Sequence, residues 1–76
     1  MKRVAVIPVY NEEGTVEEVI SRTERFVDKV IVVDDGSTDR TAEKGMKTSA
    51  EVIVLPQNMG KARALKEGFK RCQGYD

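Results

Sequence analysis

Three short, almost continuously apolar runs punctuate the chain: Val4-Ala5-Val6-Ile7, Val30-Ile31-Val32-Val33 and Val52-Ile53-Val54-Leu55. They are rich in β-branched residues and do not alternate with polar ones, the pattern of strands covered on both faces, as in a parallel sheet. Between them the apolar spacing changes to that of helices. Val16, Val19, Ile20, Thr23 and Val27 share one helical face. Asn11 or Thr15 is the expected N-cap, and Thr15-Val16-Glu17-Glu18 reads as a capping box. A second, short helix is expected from the Ser37-Thr38-Asp39 turn, whose side chains can accept free backbone N–H groups, to about Gly45. A third is expected from near Gly60, with Leu65, Phe69 and Cys72 as its buried stripe and Gly74 as its C-terminal stop.

The order β-α-β-α-β-α predicts a Rossmann-like α/β fold in three layers: a parallel sheet of three strands with right-handed crossovers. A ligand site in such a sheet lies beyond the carboxyl ends of the strands. The 76 residues are read as a single domain with a small core, since a chain of this length buries only about 60% of its unfolded surface.

Charged residues make up 34% and hydrophobic residues 39%, which fits a folded chain with a heavily solvated exterior. The 13 basic and 13 acidic residues cancel, so net charge gives no support for binding nucleic acid or an anionic membrane. From Lys61 onward the balance turns positive, through Lys61, Arg63, Lys66, Lys70 and Arg71 against Glu67 and Asp76. The single cysteine, Cys72, excludes an internal disulfide or a multi-cysteine zinc site and reads as a packing residue in a reducing compartment. The apolar stretch after Lys2 and Arg3 is ended by Pro8 to Glu13, too early for a signal peptide, and no run approaches a membrane span of about 20 residues. The expected location is cytoplasmic.

Each strand end carries candidate chemistry. The first runs into Ile7-Pro8-Val9-Tyr10-Asn11-Glu12-Glu13, where Pro8 is expected to break regular pairing and a planar base could lie against the turn. Proline and an Asn cap are also ordinary loop residues. The second ends in Asp34-Asp35-Gly36-Ser37-Thr38-Asp39. Two adjacent carboxylates need N–H donors, a cation or a ligand to be tolerated, and a carboxylate is suited to accepting the ring N–H of uracil or guanine. The plainer reading is that Asp35 and Asp39 cap the next helix. The third is followed by Pro56-Gln57-Asn58-Met59-Gly60-Lys61-Ala62-Arg63. There Gly60 allows close backbone approach, and Lys61 and Arg63 stand in a first helical turn that already favours anions such as a diphosphate. Against this, first-turn cations oppose the helix dipole and can be simple solvated surface.

Taken together, Val6 to Glu13, Val32 to Thr41 and Asn58 to Leu65 resemble the motifs of family 2 glycosyltransferases of the GT-A fold, in the family's order and spacing and over essentially the whole chain. Dolichyl- or polyprenyl-phosphate mannose and glucose synthases look like the nearest branch. The resemblance implies that Pro8, Tyr10 and Glu12 belong to a base-binding turn, that Asp35 binds the base with Asp34 beside it, and that Lys61 and Arg63 border the base and diphosphate of a UDP- or GDP-sugar. It implies sugar transfer to an acceptor such as polyprenyl phosphate, usually with inversion and usually with Mg²⁺ or Mn²⁺. The family's D-x-D metal motif and its acidic general base fall after the next strand, and the sequence stops at Gly74-Tyr75-Asp76, where that strand would begin. No catalytic residue, metal ligand or cofactor is therefore assigned within this chain, and no transfer activity is expected from it alone.

Other classes fit less well. A phospho-receiver would carry its aspartate pair after the first strand, and a dinucleotide-binding dehydrogenase would need G-x-G-x-x-G where Pro8 to Glu13 stands. The stronger rival is a non-catalytic binding or assembly module. In the family's sheet the missing fourth strand pairs beside the first, so residues 4–7 would present an open edge to a homodimer partner or a complementing chain.

Overall fold

The computed structural model describes residues 2–73. β1 (Val4–Val9), α1 (Val16–Thr23), β2 (Lys29–Asp34), α2 (Thr41–Met46), β3 (Glu51–Val54) and α3 (Lys61–Cys72) follow one another as the hydrophobic pattern predicts. The strands form one parallel sheet in the order β1-β2-β3. Val4 to Val9 stand opposite Lys29 to Asp34, and Ile31 to Asp34 opposite Glu51 to Val54. β2 is central and its residues Val30 to Asp34 are all buried, whereas β1 and β3 are mostly half-buried.

Successive residues of β2 serve opposite faces. Val30 and Val32 pack with Val9, Val16 and Ile20 on the α1 side, joined by Ile7, Val27, Ala50 and Val52. Ile31 and Val33 pack with Leu55 and Ala64 on the α3 side, joined by Val4, Val6, Ile53 and Cys72. This gives the three layers. Complete burial of a side chain such as Ile20 or Ile31 contributes about 1.5–3 kcal/mol, so β2 and the two helices facing it carry most of the cohesion. No described helix is long and apolar enough to cross a membrane.

Several local expectations change. Pro8 does not break the sheet: it pairs opposite Val33 within β1. An edge strand tolerates a residue without an N–H, and β1 is an edge strand. The capping box does not form. Thr15 is the N-cap of α1 but makes no side-chain cap bond, and the chain enters the helix through the Glu12 carbonyl, which accepts the N–H groups of Thr15 and Val16 at 3.1 and 2.9 Å. Asn11 caps nothing in α1, because its side chain reaches across to the next loop. α2 begins at Thr41 rather than near Ser37, since Ser37 and Thr38 are engaged in bonds to Asp34 and Asn11.

The buried stripe of α3 is also displaced. Ala64 and Gly68 face the sheet, while Phe69 is 58% exposed and Leu65 only half-buried. The helix lies so close to β1 that a Cβ on Gly68 would stand 2.2 Å from Val6 Cγ1. Small residues, not large ones, mark the contact face, with half-buried Cys72 a turn further on. The expected stop at Gly74 lies outside the described residues.

Candidate functional site

Three loops leave the carboxyl ends of the strands side by side and enclose an open groove of about 320 Å³. That is at the small end of the range for ligand pockets, roughly 300–1,000 Å³. Pro8, Val9, Tyr10 and Glu12 line it from the first loop, Asp35 from the second, and Asn58, Gly60 and Lys61 from the third. Six of the eight residues expected from the sequence are thus brought together. Asp34 and Arg63 are not among the lining residues.

Asp35 sits at the junction of the loops and is 5% exposed. Its N–H donates to the Val9 carbonyl at 2.8 Å, extending the β1–β2 ladder. Its carboxylate turns to the third loop, where Oδ1 accepts the Met59 N–H at 2.7 Å and Oδ2 the Gly60 N–H at 3.0 Å. Asp35 therefore serves a helix terminus, but that of α3 rather than α2. Each oxygen accepts one bond here, and a carboxylate has about four acceptor positions, so capacity is left for an N–H donor lying in the groove. Gly60, the N-cap of α3, has φ 94°. The backbone of the second loop approaches the third at Gly36, which has φ 73° and where a Cβ would stand 2.3 Å from the Gln57 carbonyl carbon. Only glycine satisfies both constraints.

Asp34 faces the other way. It is 2% exposed, and its Oδ1 accepts the Ser37 N–H at 3.1 Å and the Ser37 hydroxyl. It shapes the turn that presents Asp35. Arg63 points along α3 and pairs with Glu67 at 3.3 Å, so of the two first-turn cations only Lys61 borders the groove.

The first and second loops are joined by two parallel relays. The Asn11 N–H donates to Ser37 Oγ at 2.8 Å, and that hydroxyl donates to Asp34. The Glu12 N–H donates to Thr41 Oγ1 at 2.8 Å, and that hydroxyl donates to Asp39. Asp39 also accepts the N–H groups of Thr41 at 3.0 Å and Glu13 at 3.3 Å. Burial pushes its carboxyl upward, but the bonds from Thr41 and Glu13 outweigh this and hold it below the ordinary Asp value.

Sequence reasoning missed Asn58, which lines the groove one residue before Met59, and the cross-loop roles of Asn11, Ser37 and Thr41. The signal for Asn58 was its place just ahead of Gly60. The cross-loop bonds join residues 26 to 29 positions apart and leave no mark on local spacing.

An acidic residue, an exposed aromatic ring and a helix N-terminus are thus gathered beyond the carboxyl ends of parallel strands, where open α/β sheets place their ligand sites. The chain belongs to glycosyl transferase family 2, whose model matches residues 4–75. The undecaprenyl-phosphate 4-deoxy-4-formamido-L-arabinose transferase of Pseudomonas fluorescens (strain Pf0-1) is 36% identical over 81 residues, across 91% of this chain and 24% of that protein. The protein of the same name from Pseudomonas aeruginosa (strain LESB58) is 37% identical over 82 residues, with the same shares. Among solved structures, glucosyl-3-phosphoglycerate synthase from Mycobacterium tuberculosis, in complex with Mn²⁺, UDP-glucose and phosphoglyceric acid, superposes with a TM-score of 0.68 at 34% identity. That match covers 84% of this chain and 27% of the synthase. The chain thus spans about a quarter of the length of the proteins it matches.

Proposed function

We propose that residues 1–76 form one nucleotide-sugar-binding unit, the donor side of a transferase that moves a sugar from a UDP- or GDP-sugar to a polyprenyl-phosphate acceptor. The observation that carries this reading is the position of Asp35, buried at the groove with acceptor capacity left while Tyr10 and Lys61 border the same space. Pro8, Tyr10 and Glu12 form the wall for the base, with the Tyr10 ring, 43% exposed, available for stacking. Asp35 accepts the ring N–H of uracil or guanine. Gly60 permits close approach of the diphosphate, and Lys61 and the first N–H groups of α3 supply positive potential for it. Asp34 acts through Ser37, and Arg63 would first have to leave Glu67 to reach a phosphate.

The described acidic side chains do not fit a metal centre. No three or more Asp, Glu, His or Cys side chains among the described residues could hold an ion together, and Asp34, Asp35 and Asp39 all accept hydrogen bonds from the protein. The Mg²⁺ or Mn²⁺ proposed for the complete enzyme would take its ligands elsewhere, as would the general base. This chain alone is therefore proposed to bind donor without transferring sugar.

The names of the undecaprenyl-phosphate transferases support a lipid-phosphate acceptor and so work at a membrane surface, which this reading puts on the cytoplasmic side. The sugar moved would be a hexose of the kind used by dolichyl- or polyprenyl-phosphate mannose and glucose synthases. The rival assembly-module reading draws on one observation, that among the described residues β1 pairs only with β2, which leaves the outer edge of Val4–Val9 open to a second copy. A stable monomer in sedimentation at high concentration removes the homodimer.

The test of donor binding is an NMR titration with UDP, GDP, CDP and dTDP. Shifts at Tyr10, Asp35 and Lys61 with UDP or GDP are expected, and no shift with any nucleotide overturns the reading. Sugar transfer by this chain to polyprenyl phosphate, with metal and donor supplied, would overturn the claim of inactivity.

A further inference from the structure

Asn11 is the only non-glycine among the described residues with a positive φ, 50°. A side chain is held in this left-handed region at a cost, and such residues gather where the surrounding structure needs a particular turn. Here the need is visible. Tyr10 and Glu12, the neighbours of Asn11, both line the groove, so the chain must reverse sharply between them. Three bonds hold that reversal. The Asn11 N–H donates to Ser37 Oγ at 2.8 Å, and its side-chain Oδ1 accepts the Thr38 N–H at 2.8 Å and the Thr38 hydroxyl at 3.3 Å.

We infer that Asn11 is a positioning residue for the groove: its left-handed turn and its clasp on Ser37 and Thr38 set Tyr10 and Glu12 facing Asp35. The chain of contacts is direct. Ser37 and Thr38 follow Asp35 in the same loop, and Ser37 is anchored on buried Asp34. Fixing Asn11 to this pair fixes the wall of the groove to the residue at its floor. Without the Asn11 oxygen the loops would still be joined through the Glu12, Glu13 and Asp35 N–H groups, but the turn at Asn11 would lose its hold on Thr38, and a ligand touching both loops would have to order the Tyr10 wall on binding. Asn suits the position because it tolerates left-handed backbone and offers a carbonyl oxygen at short reach. The side-chain NH₂ makes no bond to the described residues, so within the side chain the oxygen alone holds Thr38, beside the main-chain bond to Ser37.

The inference rests on the donor-binding reading, but its test contains a readout that does not. Three variants separate the features: Asn11→Gly keeps the backbone freedom and removes the oxygen, Asn11→Ala removes both, and Asn11→Asp keeps both. The last adds a charge near Asp34 and Asp39, so all are compared at high salt, which screens it. Amide hydrogen exchange at Thr38 reports the clasp, the Tyr10 ring signals report the wall, and UDP and GDP titrations report affinity.

Asn11→Gly should remain folded, lose Thr38 protection about tenfold or more, shift the Tyr10 signals and weaken nucleotide binding about tenfold. Asn11→Asp should restore all three to near the parent values, and Asn11→Ala should be the weakest. Unchanged Thr38 protection and Tyr10 signals in Asn11→Gly would overturn the inference, as would an Asn11→Asp variant no better than Asn11→Gly. If the parent chain binds no nucleotide, the donor-binding reading fails on that result alone, while exchange at Thr38 and the Tyr10 signals still decide the role of Asn11.

Discussion

The carboxylate of Asp35, at the end of β2, accepts the main-chain N–H of Gly60 at 3.0 Å and so ties the second strand-end loop to the start of α3. With the Met59 N–H at 2.7 Å on its other oxygen, one side chain closes a gap of 25 residues in sequence. Asp35→Ala should leave both N–H groups without this acceptor and cost about 1–3 kcal/mol of stability. Asp35→Asn offers one acceptor oxygen in place of two and should fall between. Chemical denaturation of the three proteins checks the order.

Gly36 should resist substitution more than Gly14 or Gly60. Gly36→Ala combines a left-handed backbone with a Cβ 2.3 Å from the Gln57 carbonyl carbon, and about 3 kcal/mol or more of destabilisation is expected. Gly14→Ala is the control. Nothing lies within 4 Å of its added methyl, and a change within about 0.5 kcal/mol is expected from thermal melts.

Gly68→Ala sets helix propensity against packing. The substitution favours the helix by about 1 kcal/mol, yet the new methyl meets Val6 Cγ1 at 2.2 Å and Val33 Cγ2 at 3.1 Å. Overpacking of about 1–3 kcal/mol should win, giving a net loss. Combining it with Val6→Ala should recover part of that loss, with a coupling of about 0.5–3 kcal/mol in a double-mutant cycle. Strict additivity would show that α3 does not rest on Val6.

The acid limb of stability should carry the signature of Asp39. Its folded carboxyl is held below the ordinary value, so it binds its proton less readily than in the unfolded chain. The stabilisation is present above the unfolded pKa, near 4, and is lost as pH falls from there through the lower folded value. Glu43, lowered by Arg40, contributes in the same direction. Urea midpoints for the parent and Asp39→Asn should differ at pH 7 and converge toward pH 3. A constant difference across that range would rule out a role for ionised Asp39.

The sheet was legible because β-branched runs announce buried strands whatever surrounds them. The groove was legible in outline because ligand sites in such sheets sit at strand ends. What could not be read depended on partners distant in the chain. Periodicity counts large apolar residues, so it chose Leu65 and Phe69 for α3, whereas close approach to Val6 selects Ala64 and Gly68. Pro8 reads locally as a break, and only its place on an edge strand makes it harmless. Asn11 reads as a cap until Thr38 is seen beside it. Asp34 and Asp35 look equivalent in sequence, yet one turns inward to Ser37 and the other to the third loop.

Neither core cluster contains Tyr10, Glu12, Asn58 or Lys61. Those four side chains border the groove while the loops that carry them are fastened to one another through Asn11, Asp35 and the two hydroxyl relays. Val9 and Asp35 belong both to the groove and to the parts that keep the chain folded, whereas those four side chains stand only on its border. Single replacements at those four positions would reshape the border of the groove with no compensating change in the interior.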